Sequence, residues 1–408
     1  MSHFFQHPVR GVRATGCTKQ KPWLLIAEGF HRRGGMDKAN AALADYLVSQ
    51  GIPTHLVAVS IDPAVGARPG VTCETAPVLP RWPSSGRWSL ARRGRASALR
   101  LTRDSSNLRV LVNGINCNWP DINWVHWLHY CWQPRITQAP LWFKLKHRLE
   151  SLGARERERM WFRSAKLLVS NSERTRRDLI NLGVEAERIH TIYLGGDSVW
   201  KELTPERREA GRAWLGVPPG RPLVAFVGAL GYDGRKGFDT LWRAWLDLCR
   251  GAQWDADLVV AGSGRALPQW RRAAVRSGLG ERVKFIGFSE RIGDLLAAAD
   301  LLVSPARYES YGLNVHEALC CGVPAIVSAS AGVAERYSPE LSPLLLPNCE
   351  DAADLAARML SWRRDMGTWR ERLQPTMSKL RRYTWHEMAS RMVNLVEEFK
   401  RVADAATG

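Results

Sequence analysis

Two carboxylates stand eight residues apart in Glu309-Ser-Tyr-Gly-Leu-Asn-Val-His-Glu317, on either side of a glycine turn that opens a helical pattern. The apolar run Leu301-Leu-Val303 before them reads as a buried strand, and Pro305 and Gly312 punctuate the loop that follows it. Leu313 to Cys321 then carry a helical pattern that Gly322 ends. At the start of that helix the N–H groups of Gly312, Leu313 and Asn314 have no partner within the helix, and open donors with the helix dipole favour a phosphate. An ionised carboxylate accepts hydrogen bonds from vicinal hydroxyls. Glu317 is thereby suited to a ribose, and Glu309, at the strand's carboxyl end, to a sugar being transferred. The chemistry implied is that of a nucleotide-sugar site.

The elements around these residues repeat one theme. Strand and helix patterns alternate along the chain, which predicts an α/β fold with parallel sheets covered on both faces. The first half supplies strands at Pro22 to Ala27, His55 to Val59, Arg109 to Val112, Ile122 to Leu128, Ala165 to Ser170 and Ile189 to Tyr193. A linker from Gly195 to Pro222, broken by Gly216, Pro218, Pro219 and Gly220, separates them from strands at Leu223 to Val227, Leu258 to Ala261, Val283 to Ile286, Leu301 to Val303 and Ala325 to Val327. A chain of 408 residues exceeds what one core usually supports.

The Glu309 to Glu317 stretch resembles the Glu-x7-Glu signature of retaining glycosyltransferases of family four, and other blocks keep that family's order. They are Val224 to Leu230 leading to Arg235-Lys-Gly-Phe-Asp239, Leu258-Val-Val-Ala-Gly-Ser-Gly264, Val283-Lys-Phe-Ile-Gly287, and Ala318 to Ser328 with Gly332-Val-Ala-Glu335. The resemblance covers residues 165 to 335 well and 22 to 51 moderately; residues 60 to 120 match no pattern. It implies the GT-B architecture, two Rossmann-like parallel-sheet domains facing each other across a cleft. The corresponding partition is 1–200 on the acceptor side, 201–382 for the donor, and a helix in 383–408 that crosses back to the first domain.

The same resemblance assigns roles. Gly34 and Gly35, between the first strand and a helix, bring backbone amides toward a diphosphate. Lys236-Gly-Phe with Gly228-x-Leu230 looks like the family's phosphate-binding pair, and Arg235 adds a planar fork for two oxygens. Ala229 departs from the arginine that many members carry there. A histidine after a first-domain strand faces the transferred sugar; His129 is the first choice and His126 the alternative, because residues three apart on a strand face opposite sides. No Asp-x-Asp block is placed after a strand to hold a divalent metal, so a metal-independent reaction without a cofactor is expected, with cations and a helix end stabilising the leaving diphosphate. Two carboxylates on one element bind a donor rather than flank a scissile bond, which sets the site apart from a sugar hydrolase. A GT-B epimerase or phosphorylase, a non-catalytic nucleotide-sugar binder, and a basic membrane-surface or nucleic-acid adaptor are the competing readings.

Charge points to the partner. The net charge is +18, and Arg81 to Arg103 contains seven arginines and no acid, interleaved with Trp82, Trp88, Leu90 and Leu99. Leu141-Trp-Phe-Lys-Leu-Lys-His-Arg-Leu149 continues the theme, followed by Arg155, Arg157, Arg159 and Arg163. Basic stretches with tryptophan suit an anionic lipid surface, or else form a solvated basic face. No finger, RNP-like block or recognition-helix pattern supports nucleic acid. With 45% apolar and 24% charged residues, no spanning run, no h-region after Arg10 and Arg13, and eight scattered cysteines, the expectation is a cytoplasmic protein, either free or peripheral on the inner face of the cytoplasmic membrane. The expected acceptor is a glycan or a lipid-linked molecule of surface polysaccharide or lipopolysaccharide-type biosynthesis.

Overall fold

In the computed structural model, residues 21–32, 34–79, 85–105, 107–132, 134, 139–197, 204–251 and 254–407 are described. Arg10, Arg13, Arg81 and Trp82 lie outside them. The first domain runs β1 (Trp23–Ile26), β2 (Gly29–Phe30), α1 (Met36–Ser49), β3 (Thr54–Ala58), β4 (Ser60–Ile61), α2 (Pro63–Gly66), β5 (Val71–Thr75), α3 (Ser85–Asp104), β6 (Arg109–Asn113) and β7 (Ile122–Val125). It continues with α4 (Leu141–Ser164), β8 (Leu167–Ser170), α5 (Glu173–Asn181) and β9 (Ile189–Thr191). After α6 (Pro205–Leu215), the second domain runs β10 (Leu223–Val227), α7 (Phe238–Arg250), β11 (Asp257–Ala261), α8 (Leu267–Arg276), β12 (Val283–Gly287), α9 (Ile292–Ala298) and β13 (Leu301–Ser304). It closes with α10 (Leu313–Cys320), β14 (Ala325–Ser328), β15 (Leu345–Leu346), α11 (Ala352–Arg364) and α12 (Met366–Arg382), and α13 (Trp385–Thr407) ends the chain.

Two large parallel sheets result, in the orders β5-β3-β1-β6-β7-β8-β9 and β12-β11-β10-β13-β14-β15, and β2 pairs with β4 in a small third one. Their central strands are apolar and buried along their length, as a sheet covered by helices on both faces demands. Each order reverses direction once, beside β1 and β6 in the first domain and beside β10 and β13 in the second. Loops at such a switch point diverge and leave a crevice beyond the carboxyl ends. The loops carrying Gly34, Arg235 and Glu309 all start there.

The expected strand at Ile122 to Leu128 stops at Val125, so both candidate histidines lie beyond it. Residues 60–120 contain the edge strand β5 and the arginine-rich α3, whose buried positions are small or aliphatic: Gly86, Leu90, Gly94, Ser97 and Ala98. Within the expected linker, Thr204 caps α6 by accepting from the Arg207 amide at 3.3 Å.

The chain crosses between domains twice, side by side. Gly196 N–H donates to Tyr383 O at 3.0 Å and Trp385 N–H to Gly196 O at 3.3 Å, while Trp385 Nε1 donates to Asp197 Oδ1 at 2.6 Å. A Cβ on Gly195 would fall 2.5 Å from the Thr384 backbone, so the two crossovers touch only because that residue is glycine. The return strap delivers α13 to the first domain, where Met388, Ala389, Met392 and Val396 join its core. It is pinned by Arg109, whose buried guanidinium donates twice to Glu397, both at 3.0 Å. Glu397→Ala leaves that buried cation unpaired and is expected to cost on the order of 3 kcal/mol, measured by urea unfolding of the first-domain transition; an unchanged midpoint contradicts the strap's role.

Candidate functional site

Arg307 organises the second-domain side of the crevice. Its backbone N–H donates to Arg235 O at 2.8 Å, and its side chain, 7% exposed, forks onto Asp239 at 2.6 and 2.7 Å and onto Glu350 at 2.7 Å. The loop after β10 and the loop after β13 are thereby held as one unit. Within it, Lys236 Nζ donates to Glu309 Oε2, so the lysine and the first carboxylate of the pair stand in direct contact. Asn314 is committed to structure through its side chain, which donates to Val227 O at 2.9 Å at the end of β10. Among the described residues the amides of Gly312, Leu313 and Asn314 have no hydrogen-bond partner. Gly312 itself adopts φ +107°, a conformation that favours glycine and turns those amides outward.

The first domain closes over this loop pair. Lys38, on the first turn of α1, reaches across to Glu317 Oε1 at 3.2 Å and to Asp197 Oδ2 at 2.5 Å. Burial pushes the Glu317 carboxyl up, and Lys38 acts against that shift. Gly34 and Gly35 stand just before α1, and among the described residues nothing lies within 4 Å of where a Cβ would be on either. Arg235 does not point a free fork into the crevice: its guanidinium stacks on Trp127 of the first domain, 4.6 Å from the ring centre, and lies 3.7 Å from Asp233. Trp127 in turn meets Tyr308 edge-on at 4.5 Å.

The two histidines differ sharply. Glu158, fully buried, accepts from the amides of His129 and Tyr130 at 2.6 and 2.8 Å and from His129 Nδ1 at 2.7 Å. A carboxylate only accepts, so Nδ1 carries the hydrogen of this contact and Nε2 is the ring nitrogen that Glu158 leaves unengaged. The His129 side chain is one-third exposed, close to Trp127. His126 is buried against Trp124, and neither of its ring nitrogens has a partner among the described residues. Burial pushes its pKa down to about 3. His316 on α10, accepting from or donating to Tyr311 Oη at 2.7 Å, is likewise pushed down to about 3 by burial.

A second docking contact lies against Glu309. Ser172, the N-cap of α5, donates to Ser310 O at 2.6 Å, and the Glu335 carboxylate receives the amides of Glu173 and Arg174 at 2.9 and 2.6 Å and Tyr193 Oη at 3.0 Å. A second-domain carboxylate therefore caps a first-domain helix. Gly332 permits the approach, since its Cβ would sit 2.7 Å from Cβ and Oγ of Ser172.

The sequence singled out Gly34, Gly35, His129, Arg235, Lys236, Glu309, Gly312, Leu313, Asn314 and Glu317; the structure brings Lys236 onto Glu309, whereas Glu317 meets Lys38, His129 meets Glu158 and Arg235 meets Trp127. Lys38, Trp127, Asp197, Glu158 and Arg307 were missed. Lys38 had a signal, one helical turn past Gly34-Gly35. Glu158 had none, lying 29 residues from its histidine.

Residues 33–198 match the description "Glycosyltransferase Family 4", and residues 221–365 match "Glycosyl transferases group 1". The chain belongs to the family-four type of glycosyltransferase. Among curated relatives, a 2-deoxystreptamine N-acetyl-D-glucosaminyltransferase of Streptomyces fradiae is 32% identical over 36% of this chain and 35% of its own length. A D-inositol 3-phosphate glycosyltransferase of Nocardia farcinica is 32% identical over 48% of this chain and 44% of its own. The matched region thus spans less than half the length of either relative. Solved structures give the fold: WaaG, a glycosyltransferase involved in lipopolysaccharide biosynthesis, superposes with a TM-score of 0.71 at 19% identity, covering 92% of this chain and 99% of its own. HepE of Anabaena, in complex with UDP and glucose, superposes with a TM-score of 0.66 at 18% identity, covering 93% and 99%. This family-four chain is a GT-B protein.

Two outcomes test the geometry. Glu335→Ala uncovers the α5 N-terminus and is expected to weaken domain docking by about 1–2 kcal/mol, read as a larger radius of gyration in solution scattering; an unchanged radius contradicts a latch. For His126 and His316 the folded pKa lies below the unfolded value, so the unfolded state takes up protons that the folded state does not. Stability is therefore expected to fall as pH drops from about 6.5 toward 3, by about 1.4 kcal/mol per pH unit for each histidine. His126→Asn should flatten that slope in pH-dependent denaturation; an unaltered slope contradicts a buried neutral ring.

Proposed function

We propose that the protein transfers a sugar from a nucleoside diphosphate sugar to a glycan or lipid-linked acceptor, with retention at the anomeric carbon. The observation that carries this reading is the pair of carboxylates Glu309 and Glu317, each held by a lysine from a different domain, beside the unpaired amides that open α10. HepE was solved with UDP-glucose bound, which supports a donor of this class. A GDP-mannose-dependent phosphatidylinositol monomannoside mannosyltransferase of Corynebacterium glutamicum among the relatives, and WaaG among the structures, support a surface-glycolipid acceptor class.

In this reading the diphosphate lies against the amides of Gly312, Leu313 and Asn314, with Lys236 releasing part of its hold on Glu309 to meet it. Glu317 exchanges the Lys38 contact for the ribose diol, and Glu309 takes hydroxyls of the sugar. His129, fixed by Glu158, presents Nε2 toward the sugar side. The acceptor hydroxyl attacks from the face that the diphosphate leaves, and its proton passes to a departing phosphate oxygen. Closure of the domains aligns the reactants and excludes water. Developing negative charge on the leaving group falls to Lys236 and the α10 amides, so no divalent ion is required by this arrangement. Arg235 acts through its stack on Trp127, positioning the loop that carries Lys236.

UDP, GDP, ADP and their sugar conjugates are the probes. One base is expected to raise the melting temperature of the wild type, and Lys236→Ala to weaken that donor about tenfold or more. NMR of the product formed with a lipid-linked acceptor should give the donor's anomeric configuration. An inverted product overturns retention, and the absence of any nucleotide shift overturns the donor site.

A further inference from the structure

The first half of α4 is built the wrong way round for a soluble protein. Leu141, Leu145, Leu149 and Leu152 recur at helical spacing on one face, joined by Trp142, and they are 82, 62, 62, 53 and, for the tryptophan, 59% exposed. The only buried residues of the 24-residue helix are Ala154, Glu158 and Phe162, all in its second half. The face opposite the leucines is the one turned toward the protein: Phe143 meets Tyr232 of the second domain at 5.9 Å, and Arg265 lies over the Phe143 ring at 5.5 Å. By helical periodicity Lys146 borders the leucine stripe on one edge, and Lys144 and Arg148 border it on the other. The stripe is therefore apolar, about 18 Å long by helix rise, and lined by cations on both sides.

The second half of α4 joins this surface to α3. Arg157 packs over the ring of Trp88, 5.7 Å from its centre, and Trp88 is itself 71% exposed. Arg87, Arg92 and Arg95 are exposed on the same helix. Apolar side chains at acyl depth with cations at headgroup level match an anionic bilayer surface, and tryptophan suits the boundary between them. Among the described residues no helix is long and apolar enough to cross a membrane, so the geometry fits a helix lying in the surface.

We propose that α4 lies in an anionic membrane surface through its Leu141, Trp142, Leu145, Leu149 and Leu152 face, with the cations that border it on the lipid headgroups. Charge complementarity selects this occupant over a second copy of the chain, whose own face is equally cationic and would repel it. The placement also names the acceptor's carrier, a point that rests on the function proposed above. Phe143 touches Tyr232 in the loop that leads to Lys236, so the lipid-facing helix begins at the mouth of the crevice. A hydroxyl carried on a lipid headgroup meets the donor site without leaving the bilayer.

The test is flotation with phosphatidylcholine vesicles, with and without phosphatidylglycerol, comparing the wild type with the triple variant Leu141→Glu/Leu145→Glu/Leu149→Glu. The wild type should float only with the anionic vesicles and lose binding as salt is raised. The triple variant should bind more than tenfold less, with an unchanged melting temperature and an unchanged nucleotide shift. Should that variant fold poorly, Lys144→Glu/Lys146→Glu/Arg148→Glu keeps the leucines and should also lose anionic binding. A wild type that ignores anionic vesicles, variants that float equally well, or a dimer that the leucine variant dissolves without any vesicle binding each overturn the proposal. Flotation without a nucleotide shift would leave the docking face standing and remove the donor site, so the two failures are distinguishable.

Discussion

Negative charge brought into the gap between two domains is the constraint that the rest of the site answers. Glu309, Glu317, Glu335 and Asp197 all stand where one domain meets the other, partly or largely withdrawn from water. An ionised carboxylate there needs compensation. Each finds it in a different way: Glu309 in Lys236, Glu317 and Asp197 in Lys38, and Glu335 in the amides that open α5. The partners of Glu317 and Glu335 come from the opposite domain, so the same contacts also tie the two domains together across the crevice.

The same contacts explain how a site can be both rigid and able to accept a ligand. Arg307 and Gly332 fix backbone, through bonds that a donor has no reason to disturb. Lys236 and Lys38 fix carboxylates through single flexible side chains, and a diphosphate and a diol offer those groups equivalent partners. Under the function proposed above, the ion pairs hold the places of ligand groups. Exchange of one set of charge-assisted bonds for another costs little, whereas an empty site with bare carboxylates would cost several kcal/mol per charge.

The architecture sets where this happens. In both sheets the strand order reverses at the strand that leads into a site loop, and the paired crossovers at Gly195-Gly196 and Thr384 turn the two carboxyl edges toward each other. The return helix α13 buries its apolar face in the first domain and is locked by Arg109 and Glu397. With the domains tied there and at Glu335, α4 projects from the first domain near the crevice mouth with its leucines turned outward.

What the sequence determined by itself were features encoded within one element or across one turn. Continuous apolar strands at Leu223 to Val227 and Leu301 to Val303, the glycine at Gly312 and the spacing of Glu309 and Glu317 depend on local backbone preference and periodicity. The parallel sheets, the loops after β10 and β13 and the start of α10 were legible for that reason, whereas Lys236 was singled out through the resemblance of its loop to the family's pattern. Tertiary structure alone decided the partners. Lys38 with Glu317 spans 279 residues, Glu335 with the α5 amides 162, and Glu158 with His129 29, and no periodicity relates such positions. It also decided that Arg235 stacks on Trp127, that His126 is buried while His129 is fixed by Glu158, and that the α4 leucines face outward. Side-chain direction at those sites follows from which surface packs against which, and that is settled only when both domains are folded and closed.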